Sequence, residues 1–220
     1  MRSRLYDPVF LASLAGPVGP QPILYLNAEE SVIADKSANA RTLSVGTGVT
    51  ISTAQAGAGV GSIDFNNTPS SRIGVTPAIS IPSTQGFTLE VRVRPRSIPQ
   101  YSTVLEIGNH LNTSGIVFLL AGGVPGKPGP CIYTGAFYGG AASLPLNVWS
   151  KIRYVITTVG PNRVVYVYVN DVLESSQNIV SAVNIAGTNT IGAISTLASN
   201  YYFNGFMDEL RIWQEALLLP

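Results

Sequence analysis

Residues 87–94 read Phe-Thr-Leu-Glu-Val-Arg-Val-Arg, and the alternation in that stretch decides the fold. In an extended chain Phe87, Leu89, Val91 and Val93 fall on one side, and Thr88, Glu90, Arg92 and Arg94 on the other. A helix would scatter the same residues around its circumference, so the stretch is predicted to be a strand with one buried face. The pattern recurs downstream. In Lys151–Thr157 (KIRYVIT), Ile152, Tyr154 and Ile156 share an inner face. Arg163–Ser176 (RVVYVYVNDVLESS) reads as a hairpin turning at Asn170 and Asp171, two residue types that tolerate positive φ. Along its first arm Val165, Val167 and Val169 take one face, and Val164, Tyr166 and Tyr168 the other. Both faces are apolar, as expected for an internal strand covered on two sides.

Shorter runs extend the pattern: Ile23–Asn27, Thr42–Gly46, Ser62–Phe65, Val104–Gly108, Gly115–Ala121, Asn189–Ile194 and Met207–Trp213. Short strands separated by Gly, Pro, Asn and Ser predict an all-β, two-sheet antiparallel sandwich. Neither helical periodicity nor a fixed-period repeat is present, which argues against a propeller or solenoid. Two segments stand outside the sheets. Residues 1–21 read as a docking arm closing on a Gly-Pro linker, leaving 22–220 as the sandwich. In the arm Asp7 and Pro8 interrupt the apolar stretch, and what remains is at the short limit for an export signal. Arg2, Arg4, Leu5, Tyr6, Val9, Phe10 and Leu11 are its candidate contacts with its own domain or another subunit. The second segment, Gly122–Ser143, is rich in Gly and Pro, and loops of that length usually serve function or lean on a partner. Tyr133, Phe137 and Tyr138 within it are either a contact patch or a cover for the sandwich edge.

Composition narrows the chemistry. Charged residues make up 11% and the net charge is +1; the usual charged share is about 25%. No basic field exists to hold nucleic acid or an anionic membrane. Cys131 is the only cysteine, which rules out an intrachain disulfide and a cysteine zinc site and leaves a buried or loop thiol. His110, the only histidine, has no nucleophile elbow near it and reads as a loop residue. Asp208 and Glu209 are adjacent. Strict alternation places Phe206, Asp208, Leu210 and Ile212 on one face, and Met207, Glu209, Arg211 and Trp213 on the other. Paired catalytic carboxylates must flank one bond at about 5 Å or somewhat more, which neighbours splayed to opposite faces cannot do. Glu29 and Glu30 share that defect. The expectation is a non-enzyme, with Asp208 accepting backbone or hydroxyl hydrogen bonds and Glu209 pairing with Arg211 or across the sheet.

Four motifs in order carry a family resemblance: FTLEVRVRP (Phe87–Pro95), LPLNVWSKIRYVIT (Leu144–Thr157), VVYVYVNDVLESS (Val164–Ser176) and FNGFMDELRIWQEAL (Phe203–Leu217). Together, over about residues 22–217, they resemble the concanavalin A-like, laminin-G-like jelly rolls of the kind found in bacteriophage virion proteins. The resemblance implies a concanavalin A-like jelly roll whose closing strand is Phe206–Trp213. Glucanases of this fold carry acids alternating onto one strand face, a spacing absent here. Some members bind calcium through loop carboxylates. Here the loop after Ser62–Phe65 has Asn66, Asn67, Ser70 and Ser71 instead, and Asp35 with Asn39 reads first as an Asx turn. No cofactor is expected, and Asp35, Asn66 and Asn67 are the residues where calcium would bind weakly. Tyr101, Tyr133, Phe137, Tyr138, Tyr201 and Tyr202 are candidate sugar platforms or interface residues, since tyrosine supplies contact area at low entropic cost in either role.

The resemblance, the arm and the low charge lead to a first expectation: a phage virion structural protein, most simply a capsid decoration protein docked by its arm. It would stand on the virion surface in many copies or as a homo-oligomer, with other virion proteins as partners. The alternative is a carbohydrate- or receptor-binding tail or adhesion module with a surface glycan as partner. A third reading is a secreted or cell-surface lectin-like domain.

Overall fold

The computed structural model describes residues 19–29, 31–109, 115–122, 129–140, 142–159, 162–179, 185–196 and 201–220. Two antiparallel sheets face each other. Sheet A runs from β14 (Val172–Ile179) through β13 (Asn162–Val169), β12 (Ser150–Val159) and β7 (Phe87–Ser97) to β16 (Asn204–Trp213). There it forks. The first half of β16 pairs with β5 (Ser62–Asn66), which carries β4 (Val49–Ser52) on its far side. The second half pairs with β1 (Leu24–Asn27), followed by β2 (Ala34–Asp35). Sheet B runs β11 (Phe137–Gly139), β10 (Cys131–Tyr133), β9 (Ile116–Leu119), β8 (Thr103–Ile107), β15 (Asn189–Ile191), β6 (Ile73–Thr76) and β3 (Thr42–Val45).

The core lies between the sheets, where the alternation placed it. Phe87, Leu89, Val91 and Val93 of β7 are fully buried, as are Ile152, Tyr154 and Ile156 of β12. Ile73, Leu105, Ile107, Ile116, Phe118 and Ile132 meet them from sheet B. Phe118 joins the layers, with its ring stacked on Phe87 at 5.4 Å and edge-on to Tyr154 at 5.4 Å. Each such side chain contributes roughly 1.5–3 kcal/mol by leaving water. The hairpin turn stands as expected, with Asn170 at φ 50° and Asp171 at φ 67°.

Tyr154 also ties the sheets by a polar bond. Its hydroxyl donates to the Leu119 carbonyl at 2.7 Å across the core, and burial pushes its phenol well above the ordinary value. Tyr154→Phe keeps the ring and removes that bond, so it should lower stability by about 1–2 kcal/mol. Urea unfolding reads this directly; an unchanged midpoint would show that the bond contributes nothing.

Three expectations need correction. Gly122–Ser143 does contribute to the sheets, since Cys131–Tyr133 and Phe137–Gly139 pair as a hairpin at the edge of sheet B. The runs are three residues long, too short to show a period of two, and Gly135 at φ 92° supplies the turn. β13 is internal, yet neither face is sealed along its whole length: inward Val165 and Val167 and outward Tyr168 are buried, while inward Val169 and outward Val164 and Tyr166 are half-buried. Finally, β16 does not alternate strictly. Asp208 pairs with Arg92 and Arg211 with Glu90, so Glu209 and Leu210 together oppose Val91 in a β-bulge. Met207 therefore joins Leu210 and Ile212 in the core, while Phe206 turns outward beneath Arg94 and Arg96.

Candidate binding site

The bulge overturns the expected splay of the two acids. Glu209 takes φ 52°, in the left-handed region, and the extra residue brings both carboxylates to the outer face of sheet A. The bulge sits where the partner of β16 changes from β5 to β1. Asp208, fully buried, stitches that junction. One of its oxygens accepts the N–H groups of Gly57 (3.2 Å) and Ala58 (2.8 Å), the other that of Glu209 (2.8 Å). Trp149 closes the same spot: a β-carbon on Gly57 would lie 3.0 Å from its ring and 3.2 Å from Asp208 Cβ. Glu209 is engaged separately, accepting from the Tyr25 hydroxyl at 2.8 Å and forming an ion pair with Arg211. The Arg211 guanidinium in turn covers the Tyr25 ring at 4.6 Å. An open cavity of about 340 Å³ lies beside this network, lined by Pro20, Tyr25, Lys36, Ser37, Arg211 and Trp213 among others. Structural hydrogen bonds and the ion pair occupy these carboxylates.

Burial pushes the Asp208 carboxyl above the usual range, and Glu209 adds to this against the opposing N–H bonds. A raised folded value means that the folded state gains stability from protonation, a gain present at low pH and lost as pH rises through that value. Relative to Asp208→Asn, the wild type should gain stability on acidification from pH 7 into the carboxylate range. Paired thermal melts at pH 7 and pH 5 measure it; a relative loss for the wild type would reverse the sign.

On the opposite side of the molecule, sheet B carries a second apolar surface. Alternate residues of β9 leave the core: Ile116 and Phe118 face inward, whereas Val117 and Leu119 face outward and form a floor with Cys131 and Ile194. Tyr101, Tyr133, Phe137 and Tyr201 pack on that floor, each half-buried. The rings form a row. Tyr133 meets Phe137 at 4.7 Å, tilted by 40°; Phe137 and Tyr101 stack at 5.7 Å; Tyr101 and Tyr201 stack at 4.8 Å. Tyr101 enters from the turn before β8 at φ 65°, a conformation that costs a bulky L-residue about 1–2 kcal/mol. Such strain persists where surroundings over-determine the residue, and it clusters at ligand clamps. Burial raises the Tyr201 phenol above its ordinary value, with Tyr101 and Tyr133 pushing the same way. It therefore stays neutral at physiological pH, able both to donate and to accept.

Four of the six candidate aromatics thus converge. The other two do not: Tyr138 packs against the main core, and Tyr202 is buried. Val117, Leu119 and Ile194 had not been assigned to a site, although Ile116–Leu120, apolar at every position, could have signalled a strand covered on both faces. Glu106 was also missed. It is a fully buried carboxylate on the outer side of β8 that accepts the Ser195 N–H.

Asp35 forms the expected Asx turn. It accepts from Tyr25 N, Ser37 N and Arg41 N at 3.0, 2.9 and 2.9 Å. Asn66 accepts from the Thr68 and Ser71 hydroxyls, and Asn67 sits at φ 59°. Among the described residues no three His, Cys, Asp or Glu side chains are grouped to hold a metal ion. Arg2, Arg4, Leu5, Tyr6, Val9, Phe10, Leu11, Glu30 and His110 lie outside the described residues.

Comparison with solved structures finds the same sandwich elsewhere. Domain 4 of AbnA, an extracellular arabinanase from Geobacillus stearothermophilus solved in complex with arabinotriose, superimposes with a TM-score of 0.65 at 18% identity. The match covers 90% of this chain and 95% of that one. The receptor binding domain of botulinum neurotoxin type G matches with a TM-score of 0.59 at 17% identity, over 90% of this chain and 49% of that one. The binding domain of Paraclostridial Mosquitocidal Protein 1 gives 0.59 and 16%, over 90% and 50%. The chain thus spans about half the length of either toxin domain. At these identities the likeness is one of fold. No curated protein matches the sequence. A family profile described as the concanavalin A-like lectin/glucanases superfamily matches residues 65–219, from β5 through the closing strand β16. With most of the sandwich under that profile, the chain belongs to the concanavalin A-like lectin/glucanases superfamily, in its laminin-G-like branch.

Proposed function

We propose that this domain is a non-catalytic binding module that holds a carbohydrate, or a receptor bearing one, on the aromatic row of sheet B. The observation that carries this reading is the convergence of Tyr101, Tyr133, Phe137 and Tyr201 on an outward apolar floor, with Tyr101 held at a costly φ. A monomer has no folding need for a second apolar layer on the outside of a sheet, and apolar patches of this kind mark interaction sites. Phenol rings offer apolar faces with polar tips, matching the mixed character of a sugar. The neighbouring folds are in keeping with this: one was solved with arabinotriose, the others are named as receptor-binding or binding domains. The absence of a catalytic role is supported by the carboxylates themselves, since Asp208 and Glu209 are committed to structural bonds and Glu106 is fully buried.

A glycan array probed with the purified full chain tests the reading. Saturable binding that Tyr201→Ala removes supports it; arrays blank for the wild type, or binding indifferent to the change, count against it. We place the module on a phage particle, held there through residues 1–21. The support is the order of motifs and the low charge of 11%. Deleting residues 1–21 should release it from particles while leaving the sandwich folded.

A further inference from the structure

We propose that Arg163, at the end of the sandwich where β13 begins, is the receptor for a single small carboxylate. Alternation along β13 puts its side chain on the inward face with Val165 and Val167, and it is only 2% exposed. Ile179 opposes it on β14, and the Ile81–Ile185 bridge closes the same end of the core beside Pro82. The guanidinium makes one hydrogen bond, donated from Nη2 to the Pro82 carbonyl at 2.6 Å. Nε is buried and has no hydrogen-bond partner.

Nothing nearby balances the charge. Arg163 is the only charged residue in 73–89, 154–170 and 175–207, the stretches that hold it and its surroundings. In the ion pairs among the described residues, the carboxylates of Asp64, Glu90, Asp171 and Glu209 belong to other cations. Glu215 lies near the Ser80–Gly86 loop, with Gln214 bonded to Ser80 and Ala216 against Gly86, but it is exposed and does not pair with Arg163. Arg41 reaches the start of that connection and donates to the Ile23 and Pro77 carbonyls, adding a cation and no counter-charge. Burial pulls the Arg163 guanidinium below its ordinary value, yet an arginine does not give up its proton inside a protein. A carbonyl accepts one N–H without neutralising it, and buried charges are as a rule paired.

A carboxylate answers this setting on three counts. It carries one negative charge, equal to the one positive charge present, where sulfate would leave an excess buried. Its two oxygens lie in one plane, as the guanidinium donors do. With 2% of the residue exposed, only a small anion can approach.

Thermal melts of the full chain at pH 7 and fixed ionic strength test the site, with chloride replaced stepwise by formate, acetate or sulfate. The readout is the shift of the wild type minus that of Arg163→Met, which removes the charge and keeps much of the length, so general salt effects cancel. Formate or acetate should raise this difference saturably by roughly 2–4 °C, and sulfate should not. Arg163→Lys keeps a charge without the planar fork and should respond less than wild type. In chloride alone Arg163→Met should melt within a few degrees of wild type, since it leaves no isolated charge behind. A sulfate shift as large as that of acetate overturns the choice of a carboxylate while Arg163 remains the site. No saturable difference with any anion overturns the proposal. So does a fall of more than about 10 °C for Arg163→Met in chloride, which would make the residue a structural tie to Pro82.

Discussion

Tyr101→Gly should weaken glycan binding about a hundredfold, roughly 2.7 kcal/mol, while leaving the sandwich folded. Tyr101 is the hinge of the row: it stacks on Phe137 on one side and on Tyr201 on the other. Without its ring, two separated aromatic pieces remain and no continuous surface. Glycine is the informative replacement because of the backbone. At φ 65° any L-residue carries strain of about 1–2 kcal/mol, which glycine relieves. The lost packing of a half-buried ring is thereby offset, and the melting temperature should move by only a few degrees. Tyr101→Ala removes the ring but keeps the strain, so it should lose binding equally and melt lower. Calorimetric titration alongside thermal melts distinguishes a binding residue from a core residue. A large fall in melting temperature with intact binding would assign Tyr101 to the fold alone.

Asp208→Ala should lower stability by about 2–4 kcal/mol. Its carboxylate accepts the N–H groups of Gly57, Ala58 and Glu209 at the fork where β16 exchanges β5 for β1. Alanine leaves three donors without that acceptor beneath the loop that Trp149 covers. For a domain of this size the melting point should fall by roughly 10 °C. Asp208→Asn retains one acceptor oxygen and should fall between alanine and wild type. Urea denaturation gives the free energies; a loss below about 1 kcal/mol would place Asp208 among ordinary surface carboxylates. Glycan binding should survive in the asparagine variant, because the row lies on the other sheet.

Much of the sandwich was legible because one-sided burial writes a period of two into the chain. The stretch 87–94, the strand through Tyr154 and the turn at Asn170–Asp171 each follow from local residue types. The closing strand was misread for a physical reason. Alternation assumes uniform pairing, and nothing in Met207–Trp213 announces that Glu209 adopts φ 52°. One extra residue reversed the parity of Phe206, Met207 and Asp208. The two acids share a face, and their hydrogen bonds and ion pair occupy them. The row was legible only as a roster of tyrosines. Its members come from the turn before β8, the β10–β11 hairpin and the approach to β16, segments that only the folded topology brings together. Selecting Tyr101, Tyr133, Phe137 and Tyr201 over Tyr138 and Tyr202 depends on which way short, Gly-flanked strands turn their side chains.

A crystal structure of the full chain soaked with a neutral trisaccharide tests the central claim most directly, since it asks which sheet receives the ligand. The account predicts sugar density along Tyr133, Phe137, Tyr101 and Tyr201 on the outer face of sheet B. Density instead on sheet A, against Asp208 and Glu209 or in the cavity between Tyr25 and Trp213, would contradict it.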